Sequence, residues 1–336
     1  MIFTDHAHDA VFKYIEGTIG VQVFFIISGF VMSFTTRHLT ASPLENFKDF
    51  AIKRAIRIFP LFYFAVLLTI LVNHATLSLI FNDHLSTLIR VLLFQPTFIN
   101  NQGPYFGLWL LPTVWTLNYE MLFYALFAIS LIAGRFRYYA LYSLLLVFVV
   151  VVPLILTHQF SFSPDVNYPF TIQYLSFITN PIILLFLSGL LLAYLLPKVK
   201  LSKTITLVFF VLSTIIFILY IRRILPVSPI NNILACTLLV AAVILVDMQN
   251  LFAPPKWLIY LGNMSFSVYI LHMVFFTYLP MMFEQKLSFL NLKDSWLQVA
   301  IIFIIVFVFS AITYELIEMR FTNYLKDKLF TRKTRL

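Results

Sequence analysis

Nine apolar stretches, each near the length of a bilayer-spanning helix, leave this chain few folds to adopt. They cover residues 17–36, 58–73, 117–134, 138–157, 176–197, 204–221, 229–247, 260–283 and 296–317. A helix needs roughly 20 apolar residues to cross the hydrocarbon core, and only 58–73 is short. The expected fold is all-α: a polytopic bundle of about nine transmembrane helices. No soluble domain fits between the spans, so residues 1–336 read as one membrane domain. Composition agrees, since 61% of the residues are hydrophobic and only 11% are charged. A soluble domain carries about 25% charge. Most of the 38 phenylalanines are then expected at lipid contacts or in helix packing.

The net charge of +9 would suggest nucleic acid in a soluble protein. Here the basic residues fall in short loops between spans. Residues 37–57, 135–137, 198–203, 248–259 and 318–336 carry 17 of the 23 Lys and Arg, and the alternate loops carry 6. The positive-inside rule places the first set in the cytoplasm, with the C-terminus. Nucleic acid binding is excluded on this reading, and the lipid bilayer is the expected surrounding. Residues 1–16 lack the apolar core of a signal peptide. Between spans, residues 85–94 form an amphipathic segment too short to cross, expected as a surface or re-entrant helix. Residues 100–104 (Asn-Asn-Gln-Gly-Pro) are a turn cluster.

Polar residues inside the apolar runs single out the chemistry. Arg54 and Arg57, with Lys53 beside them, stand at i and i+3 and project from one helix face before Pro60. They can clamp phosphates bidentately or simply anchor the span end. Glu120 lies inside the apolar start of a span, where a charge costs a few kcal/mol unless paired or hydrated. It can pair with a cation, accept a hydrogen bond from a sugar, or orient a base. Its neighbours Trp115, Tyr119 and Tyr124 suit the outer membrane interface. His272 stands mid-span, as a helix contact or as a site residue. Ser265, Ser267 and the Phe186-Leu-Ser-Gly189 stretch read as helix packing. His6 and His8, flanked by Asp5 and Asp9, precede the first span, and either imidazole can act as a base near neutral pH. The single cysteine, Cys236, can form no intrachain disulfide and is expected to be structural.

Five segments, in order, resemble the membrane-bound acyltransferase-3 family. They are Gly20-Val-Gln-Val-Phe-Phe-Ile-Ile-Ser-Gly-Phe30, Lys53-Arg-Ala-Ile-Arg-Ile-Phe-Pro60, Trp115-Thr-Leu-Asn-Tyr-Glu120 through Tyr124, Leu261-Gly-Asn-Met-Ser-Phe-Ser-Val-Tyr-Ile-Leu-His272, and Tyr314 through Arg320. The first looks most like the exopolysaccharide-modifying branch. The resemblance implies a bacterial inner-membrane enzyme that moves an acetyl or other short acyl group. The donor is cytoplasmic acyl-coenzyme A, and the acceptor is a hydroxyl of a surface polysaccharide or lipid-linked glycan. His6, 14 residues before Gly20, matches the family's catalytic histidine. Lys53, Arg54 and Arg57 match its donor-binding motif, and Glu120 and His272 would line the acyl path. The family has about ten spans with both ends inside, so the chain resembles a ten-span protein whose first span is absent. Gln22 replaces the family's aspartate, Met319-Arg320 replaces a basic-proline pair, and no residue stands where the family places an arginine eleven before His6.

No metal-ligand spacing, P-loop, Gly-x-Gly-x-x-Gly or Gly-x-Ser-x-Gly motif is present. No metal is expected. The rival readings are a transporter for a lipid-linked sugar, its polar residues lining a path, and an inactive truncated relative.

Overall fold

A computed structural model describes residues 17–72, 85–97, 103–106, 110–286 and 296–330. His6, His8, Asp5, Asp9 and the turn at 100–102 lie outside the described residues. In chain order the helices are α1 (Gly17–Thr36), α2 (Pro43–Val72), α3 (Leu85–Leu92), α4 (Val114–Leu131), α5 (Arg137–Leu146) and α6 (Val152–Thr157). There follow α7 (Gln173–Ile178), α8 (Leu184–Leu195), α9 (Lys203–Ile221), α10 (Pro229–Met248), α11 (Lys256–Asn263), α12 (Ser265–Lys286), α13 (Trp296–Thr313) and α14 (Thr322–Phe330). A π-helical turn, Val147–Val151, joins α5 to α6, and another, Tyr314–Phe321, joins α13 to α14. The described residues contain no strand. Nine of their helical stretches are long and apolar enough to cross a membrane, so the chain is a multi-pass membrane protein.

The observed spans match the expected ones, with two extensions. The second helix begins at Pro43, so most of the basic connection 37–57 is helical. A capping box starts it: the Glu45 amide donates to Ser42 Oγ at 3.3 Å, and the Ser42 amide donates to Glu45 Oε2 at 3.1 Å. Pro43 sits at the first helical position, where its missing N–H is no loss. The last helical stretch likewise runs past 317 to Phe330. In contrast, the expected span 260–283 is broken at Met264 into α11 and α12. Gly262 and Asn263, poor helix formers, precede the break. Helix α3 falls within the amphipathic segment 85–94.

Pro60 lies inside α2 and cannot donate to the carbonyl of Ile56. The Thr322 hydroxyl, from α14, approaches that carbonyl at 3.5 Å. At the other end of α1, the Arg137 guanidinium donates to the carbonyls of Thr36 and Arg37 at 2.9 and 3.2 Å. A cation on the unpaired carbonyls of a helix C-terminus is favourable both as a hydrogen-bond donor and as a charge.

Helix α1 runs closest to α8. Gly29 and Gly189 face each other's backbones, so that a Cβ at Gly29 would meet the Phe186 carbonyl oxygen at 2.1 Å. A Cβ at Gly189 would meet the Ile26 carbonyl oxygen at 1.9 Å. Small residues let membrane helices approach to this distance, where dispersion and rings do the binding. The rings of Phe25 and Phe186 stack at 4.5 Å and those of Phe123 and Phe186 at 4.2 Å. Phe25, Phe62, Phe123, Phe127 and Phe186 are fully buried, whereas Leu67, Ile155, Val211 and Ile304 are exposed on the apolar flanks. Phenylalanine thus fills the core rather than the lipid-facing surface alone. Cys236 is buried and directs its thiol to Gln22 Oε1 at 3.6 Å, bridging α10 and α1.

Candidate functional site

Helix α2 packs on both α4 and α12, and the π-helical turn Tyr314–Phe321 packs on α2. Each of these elements contributes polar side chains to the seam between them. On α4, Glu120 is 3% exposed. Its Oε1 accepts a hydrogen bond from the Tyr124 hydroxyl one turn along. Its Oε2 is buried and, among the described residues, has no hydrogen-bond partner. On α2, the Arg54 guanidinium lies 5.4 Å from the ring centroids of Phe50 and Tyr124, and its buried Nε also lacks a partner. The charges of Arg54 and Arg57 both reach Glu120 and Tyr124. Arg57 is the more open of the two, its side chain exposed while Arg54 is half-buried.

The seam continues on α12. Thr116 Oγ1 and the Tyr269 hydroxyl are 2.5 Å apart. The Thr116 proton already goes to the Thr113 carbonyl at 2.8 Å, so Tyr269 is the donor between the two hydroxyls. The Tyr269 ring stacks on Phe24 of α1 at 6.0 Å and lies within Coulombic range of Glu120. His272, one turn further, holds Nδ1 2.6 Å from the Tyr269 carbonyl. A carbonyl only accepts, so Nδ1 carries a proton. Towards the start of α12, the Ser267 hydroxyl donates to Glu318 Oε1 at 2.5 Å. The charge of Arg57 reaches Glu318 as well.

Of the residues singled out by sequence, Arg54, Arg57, Glu120 and His272 therefore share one seam. Lys53 is exposed, its ammonium 5.3 Å from the Phe330 ring, and no contact ties it to Glu120. His6 lies outside the described residues. Gln22 meets Cys236, away from the arginines. Two expectations need correction. Trp115, Tyr119 and Tyr124, expected at the outer membrane interface, are buried in the bundle at 8%, 0% and 5% exposure, packed by Tyr105, Phe177 and Phe50. Ser265, expected as a packing residue, is exposed. Ser267 is fully buried, as a packing residue would be, and it also donates a hydrogen bond to Glu318. The sequence reading also passed over the seam roles of Tyr124, Tyr269 and Thr116. For Tyr124 a signal existed, because it stands four residues after Glu120 and hence on the same helix face.

This arrangement can bind and hold an anion at Arg57. It can accept a proton or a hydrogen bond at Glu120 Oε2.

The chain matches the Acyl_transf_3 acyltransferase domain over residues 3–315. It is also 39% identical over 121 residues to the exopolysaccharide production protein ExoZ of Rhizobium meliloti (strain 1021). That match covers 35% of this chain and 36% of the relative, about a third of its length. No solved structure matches the chain. With its apolar helices and the family match running over most of its length, the chain belongs to the membrane-bound acyltransferase-3 family.

Proposed function

We propose that the protein transfers an acetyl or other short acyl group from acyl-coenzyme A to a hydroxyl of a surface polysaccharide or lipid-linked glycan. The observation that carries this reading is the Arg54 guanidinium over the ring of Tyr124, whose hydroxyl donates to the buried Glu120, at a seam between segments more than sixty residues apart in sequence. Arg57, exposed on one side, suits the phosphates of coenzyme A, which a guanidinium fork binds bidentately. Arg54 lies over the Tyr124 ring one turn earlier on α2. The exopolysaccharide role named for the Rhizobium relative supports a glycan acceptor.

The chemistry follows from the groups. His6 takes the proton of the attacking sugar hydroxyl as its oxygen bonds to the thioester carbonyl carbon. The carbon–sulfur bond breaks, and the coenzyme A thiolate leaves and takes up a proton. Glu120 and His272 line the path, with Glu120 Oε2 available to amide or hydroxyl protons of the substrates. The protein sits in the bacterial inner membrane with its C-terminus and residues 37–57 in the cytoplasm, where acyl-coenzyme A is found. Reporter fusions at residues 165 and 336 test this topology: a cytoplasmic signal is expected only at 336. An outside-type signal there would remove Arg54 and Arg57 from the donor's side.

Arg57→Ala is expected to raise the KM for acyl-coenzyme A at least tenfold while the chain still inserts. A lost charged hydrogen bond to phosphate is worth about 1.5–3 kcal/mol, and 1.4 kcal/mol is about tenfold. Initial rates in membranes containing matched amounts of each variant give the comparison. An unchanged KM in a well-inserted variant would reduce the arginines to topology anchors.

A further inference from the structure

We propose that the adjoining ends of α1 and α5 form a binding site for the phosphate of an anionic phospholipid. Its ligands are Arg37 and Arg137, with Arg135 beside them. Arg37 follows the last residue of α1, and Arg137 is the first residue of α5. Arg135 lies in the short helical turn Gly134–Phe136 just before it. The arginines thus stand where two spans, Ile19–Thr36 and Gly134–Thr157, meet the membrane edge. The proposed topology makes this the cytoplasmic edge. The site uses no residue of the arginine seam and does not depend on the reaction.

The two guanidinium groups are placed but not satisfied. Arg137 Nη2 donates to the carbonyls of Thr36 and Arg37 at 2.9 and 3.2 Å, which sets its head group against the Arg37 backbone. Ser33 on α1 and Tyr138 on α5 fix the same approach, their hydroxyls 3.3 Å apart. Arg137 Nε and Arg37 Nη2 remain. Both are buried and, among the described residues, neither has a hydrogen-bond partner. No carboxylate is bonded to either side chain among the described residues. A cation that merely marks a span end keeps its charged head in water. A buried donor left unpaired instead costs its full desolvation, and such a group calls for an acceptor. Here two lie on neighbouring cations.

A phosphate meets that need. Its oxygens accept from two guanidinium forks at once, and its charge offsets the repulsion between them. The rings point to a lipid as its carrier. Arg37 Cζ lies 3.9 Å from the centroid of the Phe34 ring, which stacks on Phe30 at 5.7 Å. Arg135 Cζ lies 4.7 Å from the centroid of the Phe136 ring. Phe34, Ile132 and Phe136 are exposed at these span ends. The cations are therefore laid on apolar surface of the kind that acyl chains cover. Basic groups between helices, with apolar flanks below, fit a phospholipid headgroup and its chains together. A soluble phosphate would use only the basic half.

The test is native mass spectrometry and thermal unfolding of the full chain, purified in detergent and stripped of lipid. Phosphatidylglycerol is added, and in separate samples phosphatidylethanolamine with the same acyl chains, inorganic phosphate or coenzyme A. The wild-type chain is expected to bind phosphatidylglycerol at least tenfold more tightly than phosphatidylethanolamine, with a rise in Tm. Arg37→Gln removes a guanidinium that caps no carbonyl. It is expected to keep the lipid-free Tm and to weaken phosphatidylglycerol binding at least fivefold. Arg222→Gln, the same charge change at an exposed residue after α9, is expected to leave binding unchanged. Equal binding of the two lipids by the wild-type chain would overturn the proposal, and that comparison needs no variant. So would an Arg37→Gln chain that binds phosphatidylglycerol as Arg222→Gln does. A Tm rise with inorganic phosphate or coenzyme A that Arg37→Gln abolishes, with lipid binding intact, would assign the arginines to a soluble phosphate instead and overturn the lipid site.

Discussion

Gly189→Leu is expected to abolish the accumulation of folded protein. Helices α1 and α8 cross where Gly29 meets the Phe186 backbone and Gly189 meets the Ile26 backbone. Even a methyl at Gly189 would sit 1.9 Å from the Ile26 carbonyl oxygen and 2.6 Å from the Phe30 amide nitrogen. These are backbone atoms, so no side-chain rotation relieves the overlap. The helices must separate, and the stack of Phe25, Phe186 and Phe123 must open with them. Overpacking alone costs about 1–3 kcal/mol and sometimes more, and the lost packing adds to it. Gly262→Ala is the control, since nothing lies within 4 Å of a Cβ there. Size-exclusion profiles of detergent-extracted protein decide the matter. A monodisperse Gly189→Leu peak of wild-type height and Tm would contradict the crossing.

That crossing shows what the sequence made legible. The Phe186-Leu-Ser-Gly189 stretch, in a strongly apolar run, reads as close helix packing before any coordinates; its partner Gly29 does not stand out in that role. The spans are equally plain, because apolar length alone decides them. Helix ends were harder. A basic stretch such as 37–57 scores as a loop by hydropathy, yet the Ser42 and Glu45 capping box starts a helix there and no breaker intervenes before Pro60. Glu120 and His272 stood out because a charge or imidazole in an apolar run is expensive, and Arg54 and Arg57 because they share one helix face just before a span. The seam they form was not legible, since it depends on how α2, α4 and α12 pack. For the same reason Ser267 passed as a small packing residue. Only the approach of Glu318 from the π-helical turn reveals it as a donor.

His6→Ala is expected to cost acyl transfer between about 10²- and 10⁴-fold, the contribution of a positioned general base. His8→Ala is expected to retain most of the rate. His6 lies outside the described residues, and the expectation rests on its spacing of 14 residues before Gly20 and on the family match. Gly20 opens the run through Phe24, whose ring stacks on Tyr269 beside His272 and Thr116. The loss should fall on kcat, because the base acts in the transition state and contributes little to donor binding. Single-turnover rates with matched membranes measure it. An active chain that loses less than about threefold on His6→Ala would shift the assignment to His272, the histidine beside Tyr269 on α12.

The central claim, acyl transfer to a surface glycan through the arginine seam, is tested most directly by mass spectrometry of surface polysaccharide. The comparison is between cells lacking the gene and the same cells carrying the wild-type chain or Arg57→Ala. The account predicts repeat units heavier by one acyl group only in cells with the wild-type chain, and a strong reduction of that species with Arg57→Ala. Identical glycan masses with and without the gene, in cells where the protein is inserted and acyl-coenzyme A is present, would contradict it.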